Sequence, residues 1–199
     1  MTMSSAGVAH YVLNPAAFAC LERVPAPRKA LFLDRDGVIN LDHGYVHSPA
    51  ETDWMPGIFE LVRSAISAGY VPVVVTNQAG IARGKYDEAT FVAYSQWVHD
   101  QFAARGAYIA ATFFCPHHPE VGRGAYLREC MCRKPKPGMI LAAIERLGID
   151  PVQSMLIGDK HSDLAAARAA GVGQAILVES DGRGLQAIRA MFDAEAEAE

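Results

Sequence analysis

Nowhere in the 199 residues does an apolar run approach the ~20 needed to cross a bilayer as a helix. Positive charge is not in excess either: the formal net charge is -4, which provides no general attraction for nucleic acid or anionic lipid. Any polyanion must therefore be met by a local pocket. The opening stretch, MTMSSAGVAHYVLNPAAFACLERVPAPRK, lacks a basic start followed by a clean apolar core, and Asn14 and Pro15 interrupt it. It does not read as a secretory signal, so the expected compartment is the cytoplasm, where reducing conditions disfavour disulfides. No internal repeat is visible. Cysteine is scarce, four in all, and three of the four fall in FFCPHHPEVGRGAYLRECMCRKPKPG (113–138). Cys20 lies apart and reads as an unpaired small apolar residue.

What is present is an ordinary globular composition, 51% hydrophobic and 20% charged, in a length suited to one domain. Short apolar runs alternate with amphipathic stretches. ALFLD (30–34), YVPVVVTN (70–77), YIAATFFC (108–115), SMLIGD (154–159) and QAILVE (174–179) read as five strands. Between and after them, IFELVRSAISAG, residues 87–106, MILAAIERLG, SDLAAARAAG and residues 183–193 carry helical periodicity, several closed by glycine. Alternation of this kind predicts an α/β fold, a parallel sheet covered on both faces. The tail AEAEAE reads as a solvated helix end or frayed terminus.

Ligands of such sheets bind beyond the carboxyl ends of the strands, so the residues there should form a chemically sensible set. Asp34-Arg35-Asp36-Gly37 follows the first strand, Thr76-Asn77-Gln78 ends the second, and Gly158-Asp159-Lys160 ends the fourth. An extended backbone would put Asp34 and Asp36 on one side and Arg35 on the other. Asp159 converging on that pair would make a site of hard oxygen ligands suited to Mg²⁺. A lone aspartate after a strand is more often a turn-former, but three such ends in one chain favour chemistry. The Cys/His segment reads separately. Cys115-x-His117 and Cys130-x-Cys132 offer four soft ligands for a closed tetrahedral zinc site, structural rather than catalytic because no position stays open for water. By spacing, His118 serves about as well as His117.

These motifs resemble the haloacid dehalogenase-like phosphatases: FLDRDGVIN (32–40), VVTNQ (74–78), RKPKPG (133–138) and IGDKHSD (157–163) match their four motifs in order. More narrowly, DHGY, TNQAGIARG and CPHHP…CMCRKPKPGM resemble the heptose-bisphosphate phosphatases, whose close relatives act on histidinol phosphate. The resemblance implies a three-layer Rossmann-like fold without a large cap, residues 29–193 being one phosphatase domain between an N-terminal extension (1–28) and an acidic tail (194–199). It implies Asp34 as nucleophile and Asp36 as general acid and base, with Mg²⁺ held by Asp34, Asp159 and the backbone carbonyl of Asp36. Thr76, Asn77 and Lys134 are then expected to stabilise the phosphoryl group. Asp42, His43, Gly44, Tyr45, Gln78, Ala79, Arg133 and Lys160 are expected to contact substrate, Arg133 at a second phosphate or a hydroxyl. The resemblance prefers His117 over His118 for zinc. Asp163 could support the metal or cap the helix that begins there. The expected substrate is a small sugar bisphosphate, in lipopolysaccharide-core heptose metabolism, with no nucleic-acid or membrane partner, handled by a monomer. Histidinol phosphate, or a zinc-stabilised binding module without turnover, are the alternatives.

Overall fold

The computed structural model describes residues 10–21, 23–179 and 183–198, apart from the side chains of 18–20 and 183. The side chain of Cys20, residues 1–9 and Glu199 thus lie outside the described residues. In chain order the elements are β1 (His10–Leu13), α1 (Pro15–Leu21), β2 (Ala30–Leu33), α2 (Ile58–Ser67), β3 (Val71–Asn77), α3 (Ala79–Ala82), α4 (Glu88–Ala103), β4 (Ala111–Cys115), α5 (Gly138–Leu147), β5 (Met155–Gly158), α6 (His161–Ala169), β6 (Gln174–Leu177) and α7 (Arg183–Ala198).

The sheet has six strands in the order β1-β4-β3-β2-β5-β6. All neighbours are parallel except β1, which pairs antiparallel with β4, His10 opposite Phe114. The all-parallel expectation is corrected at this one edge. HYVL is only four residues long and interrupted on its C-terminal side by Asn14, so no periodicity marks it as a strand. It is held by the edge it covers and by Asn14, whose Nδ2 donates to the Ile109 carbonyl at 2.9 Å. At the other end, the helix α7 carries the tail on to Ala198, and Lys29 meets Glu195 there at 2.8 Å.

Alternation inside the central strands builds two cores. Leu31, Leu33 and Val74 face α2, α4 and α7, with Leu61, Phe102 and Phe192 among the buried partners. Ala30, Phe32, Val73 and Val75 face the opposite way onto Met139, Ile140 and Ala166 of α5 and α6. Strands buried on both faces are apolar throughout, which is why their ends, where polar residues begin, are so sharply marked. From β2 the chain passes to β3 on one side and later to β5 on the other. That reversal opens a crevice at the carboxyl end of β2.

One buried titratable group sits in this scaffold rather than in the crevice. His99 of α4 is 3% exposed and shares a hydrogen bond with Thr112 Oγ1 at 2.9 Å. Burial lowers its pKa to about 4. Its folded pKa lies below the unfolded value, so its stabilising contribution is complete above pH ~6.5 and is lost as pH falls toward 4. By linkage the cost at pH 5 is about 2 kcal/mol. Urea unfolding at pH 7 and pH 5 should show His99→Gln losing less stability on acidification than the parent protein, by about that amount. Equal losses in the two proteins would mean His99 is not held neutral.

Candidate active site and metal-ligand cluster

A cleft of about 330 Å³ lies over the ends of β2 and β3, with Asp34, Asp36, Thr76, Asn77, Gln78 and Lys134 in its walls. Asp34 is 6% exposed, and its Oδ1 accepts the Arg35 backbone N–H at 2.7 Å and lies 3.0 Å from Lys134 Nζ. Lys134 is itself 4% exposed. Its ammonium also lies 2.8 Å from Asp163 Oδ1 and donates to the Val75 carbonyl at 2.7 Å, so it is an ion-pair partner of two carboxylates at once. Burial alone would lower the Lys134 pKa; the charges of Asp34 and Asp163 outweigh it and leave the pKa above its ordinary value. Asn77 clamps this arrangement to β3: its Nδ2 donates to the Lys134 carbonyl and its Oδ1 accepts the Lys134 N–H, both at 3.0 Å.

Asp36 is held differently. Its carboxylate accepts from Arg35 Nη2 at 2.8 Å, Asn40 Nδ2 at 3.1 Å and Gln78 Nε2 at 3.3 Å. The expectation that Arg35 points away from both carboxylates is corrected here. The chain leaves its extended course at Gly37 (φ +88°), the N–H groups of Ile39 and Asn40 turn back to the Arg35 carbonyl, and the guanidinium folds onto Asp36. Arg35 is 2% exposed, packs over the rings of Phe91 and Tyr94, and donates to the Val46 carbonyl at 2.6 Å. Burial would lower its pKa, and Asp36 more than restores it.

Carboxylate oxygens of Asp34, Asp159 and Asp163 come within 4.8 Å of one another, while the Asp36 carboxylate stands outside that group. Asp159 Oδ1 is buried and accepts no hydrogen bond, and burial together with the Asp34 charge raises the Asp159 pKa to about 6. An unsatisfied anionic oxygen facing two more carboxylates is what a hard divalent cation completes. Gly37 makes the approach possible, since a Cβ there would stand 2.5 Å from Asp159 Oδ2. Asp163 does cap its helix: Oδ2 accepts the Lys160 N–H at 3.0 Å. The Lys160 ammonium spans Asp42 Oδ2 at 3.3 Å and Asp159 Oδ2 at 3.4 Å. Burial opposes its charge, but Asp159, Asp34 and Asp42 raise its pKa.

Of the residues expected at substrate, Asp42, Gly44, Tyr45, Gln78, Ala79 and Lys160 line the cleft. His43 turns instead to Asp53, 2.8 Å away, and Arg133 donates to the His117 carbonyl at 3.1 Å outside the cleft walls. Three wall residues carry no expectation from the sequence: Gly80, Tyr86 and Ser162. Tyr86 donates to Gln78 Oε1 at 2.5 Å, over a Gly80 whose Cβ would collide with its ring. Ser162 lay within the IGDKHSD motif; for Tyr86 no local signal exists.

At the end of β4 the second constellation closes. The sulfurs of Cys115, Cys130 and Cys132 lie 3.2–3.5 Å apart, and His117 Nδ1 is 3.8 Å from Cys115 Sγ and 3.4 Å from Cys132 Sγ. His118 faces away, its Nδ1 accepting the N–H groups of Glu120 and Val121. Hydrogen bonding with Cys115 and then Cys130 holds the Cys132 pKa down at about 5, while the same contact with Cys132 pushes that of Cys115 up. Three thiolates could coexist here only around a cation, and the four converging atoms suit a tetrahedral one. Glu88 braces the loop from outside, bonding His10 at 3.0 Å and the Tyr126 hydroxyl at 2.7 Å. Past Cys132 the chain closes tightly: Gly138 N–H donates to the Met131 carbonyl at 2.9 Å, and a Cβ on Gly138 would strike that carbonyl.

A family model described as HAD-hydrolase-like matches residues 131–196. A protein of Vibrio cholerae serotype O1 named D-glycero-beta-D-manno-heptose-1,7-bisphosphate 7-phosphatase is 50% identical over 153 residues, 77% of this chain and 82% of that one. A Burkholderia mallei protein named for the alpha-anomer activity is 51% identical over 150 residues, 75% of this chain and 79% of its own length. Among solved structures, the D,D-heptose 1,7-bisphosphate phosphatase from B. bronchiseptica complexed with magnesium and phosphate superposes with a TM-score of 0.72 at 32% identity, covering 86% of this chain and 99% of that one. With a cleft of carboxylates at the switch point of the sheet and relatives of this identity along most of its length, the chain belongs to the haloacid dehalogenase-like phosphatases and is a phosphoric monoester hydrolase.

Proposed function

We propose that the chain removes the 7-phosphate of D-glycero-D-manno-heptose 1,7-bisphosphate, yielding the 1-phosphate for nucleotide-activated heptose synthesis. The observation that supports its chemistry is the different surroundings of two neighbouring carboxylates. Asp34 sits against Lys134 in the carboxylate group, and Asp36 is held apart from it by Arg35, Asn40 and Gln78. Asp34 attacks phosphorus in line and becomes an aspartyl-phosphate as the sugar oxygen leaves. Asp36 gives that oxygen a proton, then takes one from the water that hydrolyses the acyl-phosphate. Thr76 and the Asn77–Lys134 clamp fix the polar floor on which the phosphoryl group rests. Mg²⁺ held by Asp34, Asp159 and the Asp36 carbonyl would neutralise charge between the attacking carboxylate and the phosphoryl oxygens.

Zn²⁺ on Cys115, His117, Cys130 and Cys132 fits a structural part, because all four positions of a tetrahedron are filled by protein. It would fix where Arg133 and Lys134 leave the cluster. No helix among the described residues is long and apolar enough to cross a membrane. We further infer a cytoplasmic monomer acting on a small sugar bisphosphate. Relatives named for either anomer are about equally similar, at 50% and 51%, so identity does not choose the anomer.

The test is kcat/KM measured in parallel on both heptose 1,7-bisphosphate anomers and on histidinol phosphate. One heptose bisphosphate is expected to lead by more than tenfold, releasing one phosphate per sugar and leaving the 1-phosphate. A lead for histidinol phosphate would overturn the substrate while leaving the chemistry of Asp34 and Asp36 in place.

A further inference from the structure

A second concavity opens beside the cleft, the two sharing Tyr45 in their walls. It is a broad groove of about 660 Å³, and three cations, Arg83, Lys85 and Arg123, line it with Glu120 as its one acid. All three are exposed, and among the described residues none is paired with a carboxylate. The groove is built rather than incidental. Arg123 N–H donates to the Ala82 carbonyl at 2.9 Å, and its guanidinium lies against Gly84 (φ +67°), where a Cβ would stand 2.7 Å from Nη1. Lys85 Nζ sits 5.9 Å from the centre of the Tyr45 ring, and Tyr45 holds a left-handed backbone (φ 59°) on the lip between the two spaces. The charges of Arg133 and Arg83 both reach His118 at the cluster loop.

Inside the cleft the cations are matched by carboxylates. Its two lysines are already spent, Lys134 on Asp34 and Asp163, Lys160 on Asp42 and Asp159. A dianionic group at the far end of a substrate is therefore repelled by the carboxylate walls and drawn past Tyr45 toward the exposed cations of the adjoining groove. We propose that Arg83, Lys85 and Arg123 form an anion subsite that takes the second phosphate of a bisphosphate substrate and disfavours substrates whose far end carries an ammonium. This rests on the bisphosphate reading above and adds the residues that enforce it. Histidinol phosphate, with a cationic far end, would meet like charge there.

The experiment uses the full chain with Mg²⁺ and compares kcat/KM on heptose 1,7-bisphosphate, histidinol phosphate and p-nitrophenyl phosphate. In R83A, K85A and R123A the bisphosphate/p-nitrophenyl phosphate ratio should fall roughly tenfold each, through KM, as expected for loss of a charged hydrogen bond. The charge reversal R83E/K85E should raise kcat/KM on histidinol phosphate and weaken the salt dependence of bisphosphate turnover. Ratios that stay at the parent value in all three single variants would overturn the subsite. So would a parallel loss on every substrate, or a full loss of bisphosphate preference in R133A with none in the other three. A parent protein that itself prefers histidinol phosphate would instead overturn the substrate reading, which keeps the two failures apart.

Discussion

Asp34→Asn should lower kcat on any phosphomonoester by roughly 10⁴-fold or more, with the protein still folded. The amide has nearly the same shape and can still accept the Arg35 N–H that Asp34 Oδ1 takes at 2.7 Å, so the turn after β2 has no reason to rearrange. What disappears is the anionic oxygen that attacks phosphorus. Asp36 cannot substitute, because its carboxylate is engaged by Arg35 Nη2 at 2.8 Å on both oxygens and stands outside the group formed by Asp34, Asp159 and Asp163. The partner variant Asp36→Asn sharpens the test. It should also turn over slowly, but with Asp34 intact it should accumulate phosphorylated protein, visible by intact mass after quenching in acid. Asp34→Asn should show none. Residual activity within tenfold of the parent for Asp34→Asn would remove the covalent route.

Residues near those carboxylates also explain how much of the site could be read in advance. Asp34, Thr76 and Asp159 stand where apolar strands stop, and a strand buried on both faces leaves no ambiguity about where polarity begins. The Cys/His cluster was legible for a related reason, since its ligands come as two pairs with one residue between the members of each. The fold was legible to the same depth: every parallel strand announces itself by an apolar run. The edge strand β1 does not, because four residues are too few to carry a period and they owe their state to the open edge of β4.

What stayed hidden depends on contacts distant along the chain or on a turn that breaks a local rule. Alternation puts Arg35 away from both carboxylates only where the backbone stays extended, and Gly37 ends that extension two residues later. Asn77 lines the cleft as expected of a phosphate donor, but its amide also ties both ends to the backbone of Lys134, fifty-seven positions on. Tyr86 enters the cleft only through Gln78 and the bare backbone of Gly80. Arg83, Lys85 and Arg123 come from two loops and share a groove only once the Ala82 carbonyl has met the Arg123 N–H. Spacing within one segment could not foresee any of these.

Lys134 carries the largest expected effect on stability. Its ammonium is the cation between two buried carboxylates, at 3.0 Å from Asp34 and 2.8 Å from Asp163, and its side chain is 2% exposed. Lys134→Met keeps most of the volume and removes the charge, leaving two acids in each other's field with solvent excluded. Breaking a buried pair by deleting one partner typically costs 3–5 kcal/mol, and about that loss is expected in urea unfolding at pH 7 without added Mg²⁺. Arginine should not rescue it, because a planar guanidinium cannot point at Asp34, Asp163 and the Val75 carbonyl from one compact centre. A second substitution separates the structural from the chemical part. In Lys134→Met/Asp163→Asn one of the stranded charges is gone, so a good share of the stability should return. Turnover should not return, since the positive charge beside Asp34 is still missing where the phosphoryl group must sit. A Lys134→Met protein within 1 kcal/mol of the parent would mean that solvent or bound cations already screen Asp34 from Asp163, and that the lysine's part is confined to the phosphoryl group.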